Sequence, residues 1–256
     1  MVCPAAGGWR IVRVRDVAGG APGVRMRAGS VCDTAVAAGP VLRRVPRADV
    51  SVPGNPFDVV ADGDGRWSFV TLNRSVEVLS NRSLAAAAGH QLRLPGIPRG
   101  EQLTHDGRYV LVAEGSGAAV IDAARAESGT AGALVGMRSS PAGRGAVEVA
   151  ASLDDRFAFV TIEKSHSLAV FDLHKALTSG FGPSDFVGTV PLGIAPVGLA
   201  VSPDGHWIYA TSQTGKRDGS VGQRTGTLTT IELRRPRPGQ PMPLLLWPPP
   251  DAARSE

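Results

Sequence analysis

The sequence predicts an all-β protein, a β-propeller with about four four-stranded blades in an open or partial ring. Three observations lead to this prediction: a segment that occurs four times, a two-residue alternation of side chains within it, and a tight turn at its centre. Helical repeats of similar length would show a 3.6-residue period instead. Repeats with a period in the forties are typical of propellers, in which each repeat forms one small sheet.

The repeated segment is clearest when the copies are aligned on a central aspartate. The four copies read PFDVVADGDGRWSFVT, PRGEQLTHDGRYVLVA, AVEVAASLDDRFAFVT and PVGLAVSPDGHWIYAT. Their central aspartates, each followed three residues later by an aromatic residue, are Asp64 with Trp67, Asp106 with Tyr109, Asp154 with Phe157, and Asp204 with Trp207. A second large apolar residue stands two positions further on, so both point to the same face of a strand. We expect these side chains to pack between neighbouring sheets.

Three parts of the chain differ in composition. Residues 1–40 form a basic, Gly/Ala/Arg-rich segment that we expect to be poorly ordered, residues 41–234 hold the blades, and residues 235–256 form a Pro-rich tail. The repeats supply four blades, and a propeller that stopped there would leave long unpaired strand edges, which soluble proteins usually avoid. This favours an incomplete or shortened version of a larger propeller. A small closed ring and edge-to-edge assembly of two chains are the alternatives.

The strands between the copies are assigned as follows. Val41–Val50 is predicted to be the innermost strand of the first blade, and DFVGTVPLG (residues 185–193) is predicted to open the fourth. PMPLLLWPPP (residues 241–250) resembles the start of a fifth blade. One helix is predicted, at Leu173–Phe181, in the connection between the third and fourth copies.

Composition disfavours several classes of function. The net charge of +4 comes from the flanks, because residues 51–211 carry twelve basic and sixteen acidic side chains. A nucleic-acid surface on the repeats is therefore disfavoured. No apolar run reaches the length of a membrane helix and no secretory signal is visible at the N-terminus, so a cytoplasmic location is expected for the chain as given. The two cysteines and five histidines lack metal-ligand spacing, so we expect neither a metal nor a cofactor.

The repeats resemble the YVTN-repeat β-propellers, a broad bacterial group that is related to seven-bladed lactonases. The resemblance runs from about residue 53 to residue 233 and is clearest in PVGLAVSPDGHWIYATSQ. It implies a propeller of about seven blades that is often exported. The related lactonases carry histidines ahead of the Asp-Gly turn, where this chain has Val197, Gly198 and Ser202 in the fourth copy, and Gly100 and Thr104 in the second. Lactonase activity is therefore not expected.

The second copy departs from the others in its first strand. Arg99, Glu101 and Gln102 stand where the other copies have mostly apolar residues. Polar groups in a half-buried strand are costly unless they are paired or hydrated. One interpretation is that they line the central channel and bind a polar ligand, and the other is a degenerate blade whose strand faces solvent.

The function that follows from the sequence is a non-enzymatic binding or scaffold protein. Its rim or channel mouth would bind an unidentified protein or a small polar ligand, and its open blade edges would allow self-association. A lactonase-type hydrolase and a fragment without independent activity are the alternatives, because one propeller plan carries many activities.

Overall fold

Four antiparallel sheets of four strands each make up the part of the chain that the structure describes. This computed structural model describes residues 51–81, 90–214 and 226–233, together with the backbone of residues 244–247. They belong to one unit, Pro46–Glu256. The first two sheets hold β1 (Val59–Ala61), β2 (Trp67–Thr71), β3 (Ser75–Ser80) and β4 (His90–Arg93), then β5 (Pro98–Leu103), β6 (Tyr109–Glu114), β7 (Gly117–Asp122) and β8 (Leu134–Ser139). The last two hold β9 (Ala146–Ala151), β10 (Phe157–Ile162), β11 (Ser167–Asp172) and β12 (Phe186–Pro191), then β13 (Ile194–Val201), β14 (Trp207–Thr214), β15 (Thr227–Leu233) and β16 (Leu244–Trp247).

The sheets are arranged as the blades of a partial β-propeller. Within each sheet, neighbouring strands are consecutive in the chain. The first strands of successive sheets lie beside one another, because β5 contacts both β1 and β9, and β9 also contacts β13. Three apolar clusters fill the spaces between successive sheets. The predicted fold class is confirmed.

Two strands belong to other blades than the sequence predicted. β12 pairs with β11, so it completes the third blade and does not open the fourth. β16 pairs with β15, so it completes the fourth blade and does not start a fifth. Both predictions were wrong for the same reason: the repeat identifies the strands around the aspartate turn, but not the sheet that the following strand joins. The N-terminal segment 1–40 and the predicted innermost strand at residues 41–50 lie outside the described residues. The first sheet has four strands without residues 41–50.

The repeated aspartate holds the turn between the first two strands of a sheet. Asp106 Oδ1 accepts hydrogen bonds from Thr104 Oγ1 at 2.6 Å and from the Arg108 N–H at 3.0 Å. Thr104 Oγ1 accepts in turn from the Tyr109 N–H at 3.0 Å. Ser152 with Asp154 and Ser202 with Asp204 repeat this arrangement. The aspartates that define the repeat therefore shape the turn.

The third turn forms hydrogen bonds with the second turn, which belongs to the neighbouring blade. Asp155 stands where the other copies have glycine, and it keeps the left-handed backbone of Gly107, with φ of 53° against 72°. Its carboxylate accepts hydrogen bonds from the N–H groups of His105 and Asp106, both at 2.9 Å, and lies 2.8 Å from His105 Nδ1. A left-handed residue with a side chain costs roughly 1–2 kcal/mol, which these bonds offset. Asp155 thus joins the second and third blades.

The burial of the large apolar residues five positions after each aspartate shows which sheet faces pack against another blade. Phe69, Leu111 and Phe159 are fully buried, each in the cluster that its blade shares with the next blade. The aromatic residues two positions earlier pack against, or belong to, the same clusters in these three blades. In the fourth blade, Tyr209 is 37% exposed. The face that carries Tyr209 therefore lacks the burial found at the three internal interfaces.

Two short helices follow the third strands of the second and third sheets. They are α1 (Ala123–Glu127) and α2 (Leu173–Ser179). Each is preceded by an aspartate, Asp122 or Asp172, whose side chain accepts a hydrogen bond from the backbone N–H three residues further on. The predicted helix is confirmed at residues 173–179 but lies inside the third blade, whereas α1 was not predicted. Among the described residues, no helix is long and apolar enough to cross a membrane.

Candidate functional site: carboxyl groups on the inner strands

Three carboxyl groups from successive blades come together on the inner strands. Asp58 directly precedes β1, Glu101 lies on β5 and Glu148 on β9. We call these three residues the carboxyl site. Asp58 and Glu148 occupy equivalent repeat positions, six residues before the aspartate, where the second and fourth copies have Gly100 and Gly198.

Glu101 is the most buried member of the carboxyl site. The residue is 7% exposed, and both carboxyl oxygens are buried without a hydrogen-bond partner among the described residues. Its backbone N–H donates to Asp58 Oδ2 at 2.9 Å, a contact between the first and second blades. Burial, together with the nearby charges of Asp58 and Glu148, raises the pKa of Glu101 to about 9. The nearby backbone N–H groups of Thr71 and Val60 oppose this rise, but neither forms a hydrogen bond of normal geometry with the carboxyl group. Glu101 is therefore protonated and neutral at pH 7.

Glu148 lies half-buried on the next blade and is poised to titrate. Burial raises its pKa to about 7, and the Asp58 charge contributes to the rise. Glu148 Oε1 accepts a hydrogen bond from the Val149 N–H at 3.2 Å. Its carboxyl group rests against the backbone of Gly100, where an added Cβ would overlap it. Glycine at position 100 therefore allows the carboxyl group to lie against β5.

The strands position Asp58 and Glu148 in the same way. The Asp58 N–H donates to Thr71 Oγ1 at 3.0 Å, and the Glu148 N–H donates to Thr161 Oγ1 at 3.0 Å. Both threonines are buried on the second strand of their sheet. In both blades, a hydrogen bond between residues thirteen apart in the chain thus fixes the backbone of the residue that carries the carboxyl group.

Of the three residues singled out from the sequence, only Glu101 belongs to the carboxyl site. Arg99 Nη1 lies 3.9 Å from Glu163 Oε2, and its guanidinium carbon lies 5.9 Å from the centre of the Phe57 ring. Gln102 Oε1 accepts a hydrogen bond from the Ala151 N–H at 2.8 Å, which links the second blade to the third. The functional roles of these residues stay a prediction. Arg99 borders the site and Gln102 makes a structural contact.

Sequence reasoning missed Asp58 and Glu148, although a signal was present. It considered the polar residues of the second copy alone. Comparing position by position across the copies would have shown a carboxyl group at the same place in the first and third, on either side of Glu101.

A second acidic region, which we call the outer rim, lies between the turn that follows β1 and the helix α1. Asp62, Asp64, Asp122 and Glu127 line a cavity of about 370 Å³ between the first two blades, together with Arg66 and Arg108. Arg66 forms an ion pair with Asp64, so part of the acidic charge is already neutralised. Within the described ranges, no three His, Cys, Asp or Glu side chains converge closely enough to hold a metal ion.

Comparison with known proteins finds solved structures with a similar fold. No protein-family model matches it, and no curated protein matches it. Hydrazine synthase of Kuenenia stuttgartiensis is a structure to which this chain is similar, with a TM-score of 0.58 and 20% identity over 77% of this chain. The match covers 55% of the solved chain, so this chain spans about half its length. At this identity the likeness concerns the fold, and it supports a propeller-like class of protein.

Proposed function

We propose that the protein is a non-enzymatic binding protein that takes a small polar ligand at the carboxyl site. The observation that carries this proposal is the pair of buried Glu101 oxygens without a partner among the described residues. A buried polar group left unpaired costs about 1–3 kcal/mol, so the arrangement disfavours a purely structural role. Strongly perturbed carboxyl groups in one place are typical of functional sites.

The test is a ligand screen by thermal shift and calorimetry. The panel contains small organic cations, organic anions, neutral polyols and sugar lactones, tested against the wild-type chain and Glu101→Gln. A matched control is Glu127→Gln, which removes a carboxyl group from the outer rim. Saturable binding that Glu101→Gln changes at least several-fold and Glu127→Gln leaves intact supports the proposal. If no class binds, the proposal of a small polar ligand at the carboxyl site is wrong.

A lactonase-type hydrolase is the second candidate, and one observation favours it. A general base works best when its pKa lies near the working pH, and Glu148 meets that condition. In such a reaction Glu148 would take a proton from water as the water oxygen attacks the lactone carbonyl. The ring C–O bond would then break, and the proton would pass to the leaving oxygen. Lactone hydrolysis that disappears in Glu148→Gln would establish this function in place of the first.

A further inference from the structure

We infer that the ligand of the carboxyl site is an organic cation, an amine or guanidinium compound whose N–H groups donate to Asp58 and Glu148. This inference rests on the proposed function and names the chemical class of its ligand. Glu101, 7% exposed and with both carboxyl oxygens unpartnered among the described residues, is the most buried member of the site.

In the described part of the chain, no basic side chain forms an ion pair with the carboxyl groups of the site. The carboxylate oxygens of Asp58 and Glu148 accept hydrogen bonds only from backbone N–H groups there. The bordering cation, Arg99, lies nearest to Glu163, with 3.9 Å between Nη1 and Oε2. A positively charged ligand would gain charge-assisted hydrogen bonds, which are about twice as strong as neutral ones.

The geometry favours an organic cation over a metal ion. A bound metal needs several oxygens at about 2.0–2.6 Å from one point. No group of three acidic or other ligating side chains among the described residues meets that condition. An amine or guanidinium with several N–H groups can instead reach carboxyl groups that lie apart, at donor–acceptor distances of about 2.7–2.9 Å.

Glycine at position 100 gives a test of geometry that leaves every charge in place. In Gly100→Ala the new Cβ would overlap the Glu148 carboxyl group and push it away from β5. The control is Gly198→Ala, because position 198 is equivalent in the repeat and its Cβ would overlap Thr211 Oγ1 in the fourth blade. Both variants introduce a crowded alanine on an inner strand, but only the first one displaces a member of the carboxyl site.

Proton release accompanies cation binding in this account. The charged group that acts on Glu148 is Asp58, and Glu148 acts in turn on Glu101. Since Glu148 titrates near pH 7, a cation that requires its carboxylate should bind about tenfold more tightly at pH 8 than at pH 6. Glu148→Gln should remove most of that dependence.

The experiment is isothermal titration with four matched compounds at pH 6 and pH 8. The cations are agmatine and 1,4-diaminobutane, the neutral compound is 1,4-butanediol and the anion is succinate. Each is titrated in two buffers of different ionisation enthalpy, which reports the protons released. We expect the cations alone to bind, about tenfold more tightly at pH 8. We expect Glu148→Gln and Gly100→Ala to weaken them at least tenfold, with Gly198→Ala and Glu127→Gln within about twofold of wild type.

The possible failures are distinguishable. If butanediol or succinate binds in a way that depends on Glu101 and the cations do not, the cation inference is wrong and the proposed binding function stands. If none of the four compounds binds and the wider screen is also empty, the proposed function is wrong. If the cations bind equally well to wild type, Glu148→Gln and Gly100→Ala, they bind elsewhere on the acidic surface and the inference is wrong.

Discussion

Replacing Glu101 with glutamine should stabilise the protein at neutral and alkaline pH. In the folded chain burial holds the pKa of Glu101 near 9, against its ordinary value of 4.5. Between those two values the folded state keeps a proton that the unfolded chain has lost. The free energy of unfolding that depends on this group is therefore complete below pH 4.5 and falls as the pH rises toward 9. Each pH unit in this range corresponds to about 1.4 kcal/mol.

Between pH 4.5 and pH 7 the loss from this group amounts to about 3 kcal/mol. Glutamine has nearly the same shape but does not ionise, so Glu101→Gln should avoid the loss. The assay is urea denaturation of wild type, Glu101→Gln and the rim control Glu127→Gln at pH 5, 6, 7 and 8. The difference between Glu101→Gln and wild type should grow by more than about 1 kcal/mol for each pH unit. A difference that stays constant to within about 0.5 kcal/mol would show that Glu101 is not held neutral by the fold.

Three further tests, which use five substitutions, probe other parts of the structure by chemical denaturation. Phe159→Ala should lower the free energy of unfolding by about 3–5 kcal/mol because Phe159 is fully buried between blades. Tyr209→Ala, at the equivalent but 37% exposed position, should lower it by less than about 1.5 kcal/mol. Equal losses would mean that this face of the fourth blade is buried as in the other blades. Asp155→Ala should lower the free energy of unfolding by about 2 kcal/mol, because the hydrogen bonds to the second blade are lost. Asp155→Gly loses the same bonds but adopts the left-handed backbone without strain, so it should cost about 1 kcal/mol. An Asp155→Gly variant more stable than wild type would contradict the contact between blades. Thr161→Val removes the acceptor of the Glu148 N–H and should cost about 1–2 kcal/mol; an unchanged unfolding midpoint would show that this bond does not hold β9 in place.

The propeller fold was predictable from the sequence because one local pattern occurs four times. The central turn, with Asp106 or Asp204 accepting from neighbouring groups, is encoded within a few residues. The strand that follows each unit was harder to place, because β12 pairs with β11 across a segment that contains the helix α2. Pairing across such a connection depends on tertiary packing, and no turn motif marks it.

The candidate site was only partly predictable because it is assembled from three blades. Glu101 stood out since a charged residue in an apolar strand position is costly. Asp58 is 43 residues away along the chain, and Glu148 belongs to the next repeat. Considered alone, Asp58 is an ordinary half-buried acid just before a strand, and Glu148 is one within a strand. Only the stacking of the inner strands brings all three together, and the shared threonine contacts are visible only in the structure.

The most direct test of the account is the titration of the glutamate carboxyl groups by carbon NMR. We expect one carboxyl signal with a midpoint near pH 9 that disappears in Glu101→Gln, and one near pH 7 that disappears in Glu148→Gln. These values require the inner strands of three blades to lie side by side, with Glu101 buried near Asp58 and Glu148. Midpoints for all glutamates within about one unit of the ordinary value of 4.5 would contradict the carboxyl site and the function built on it.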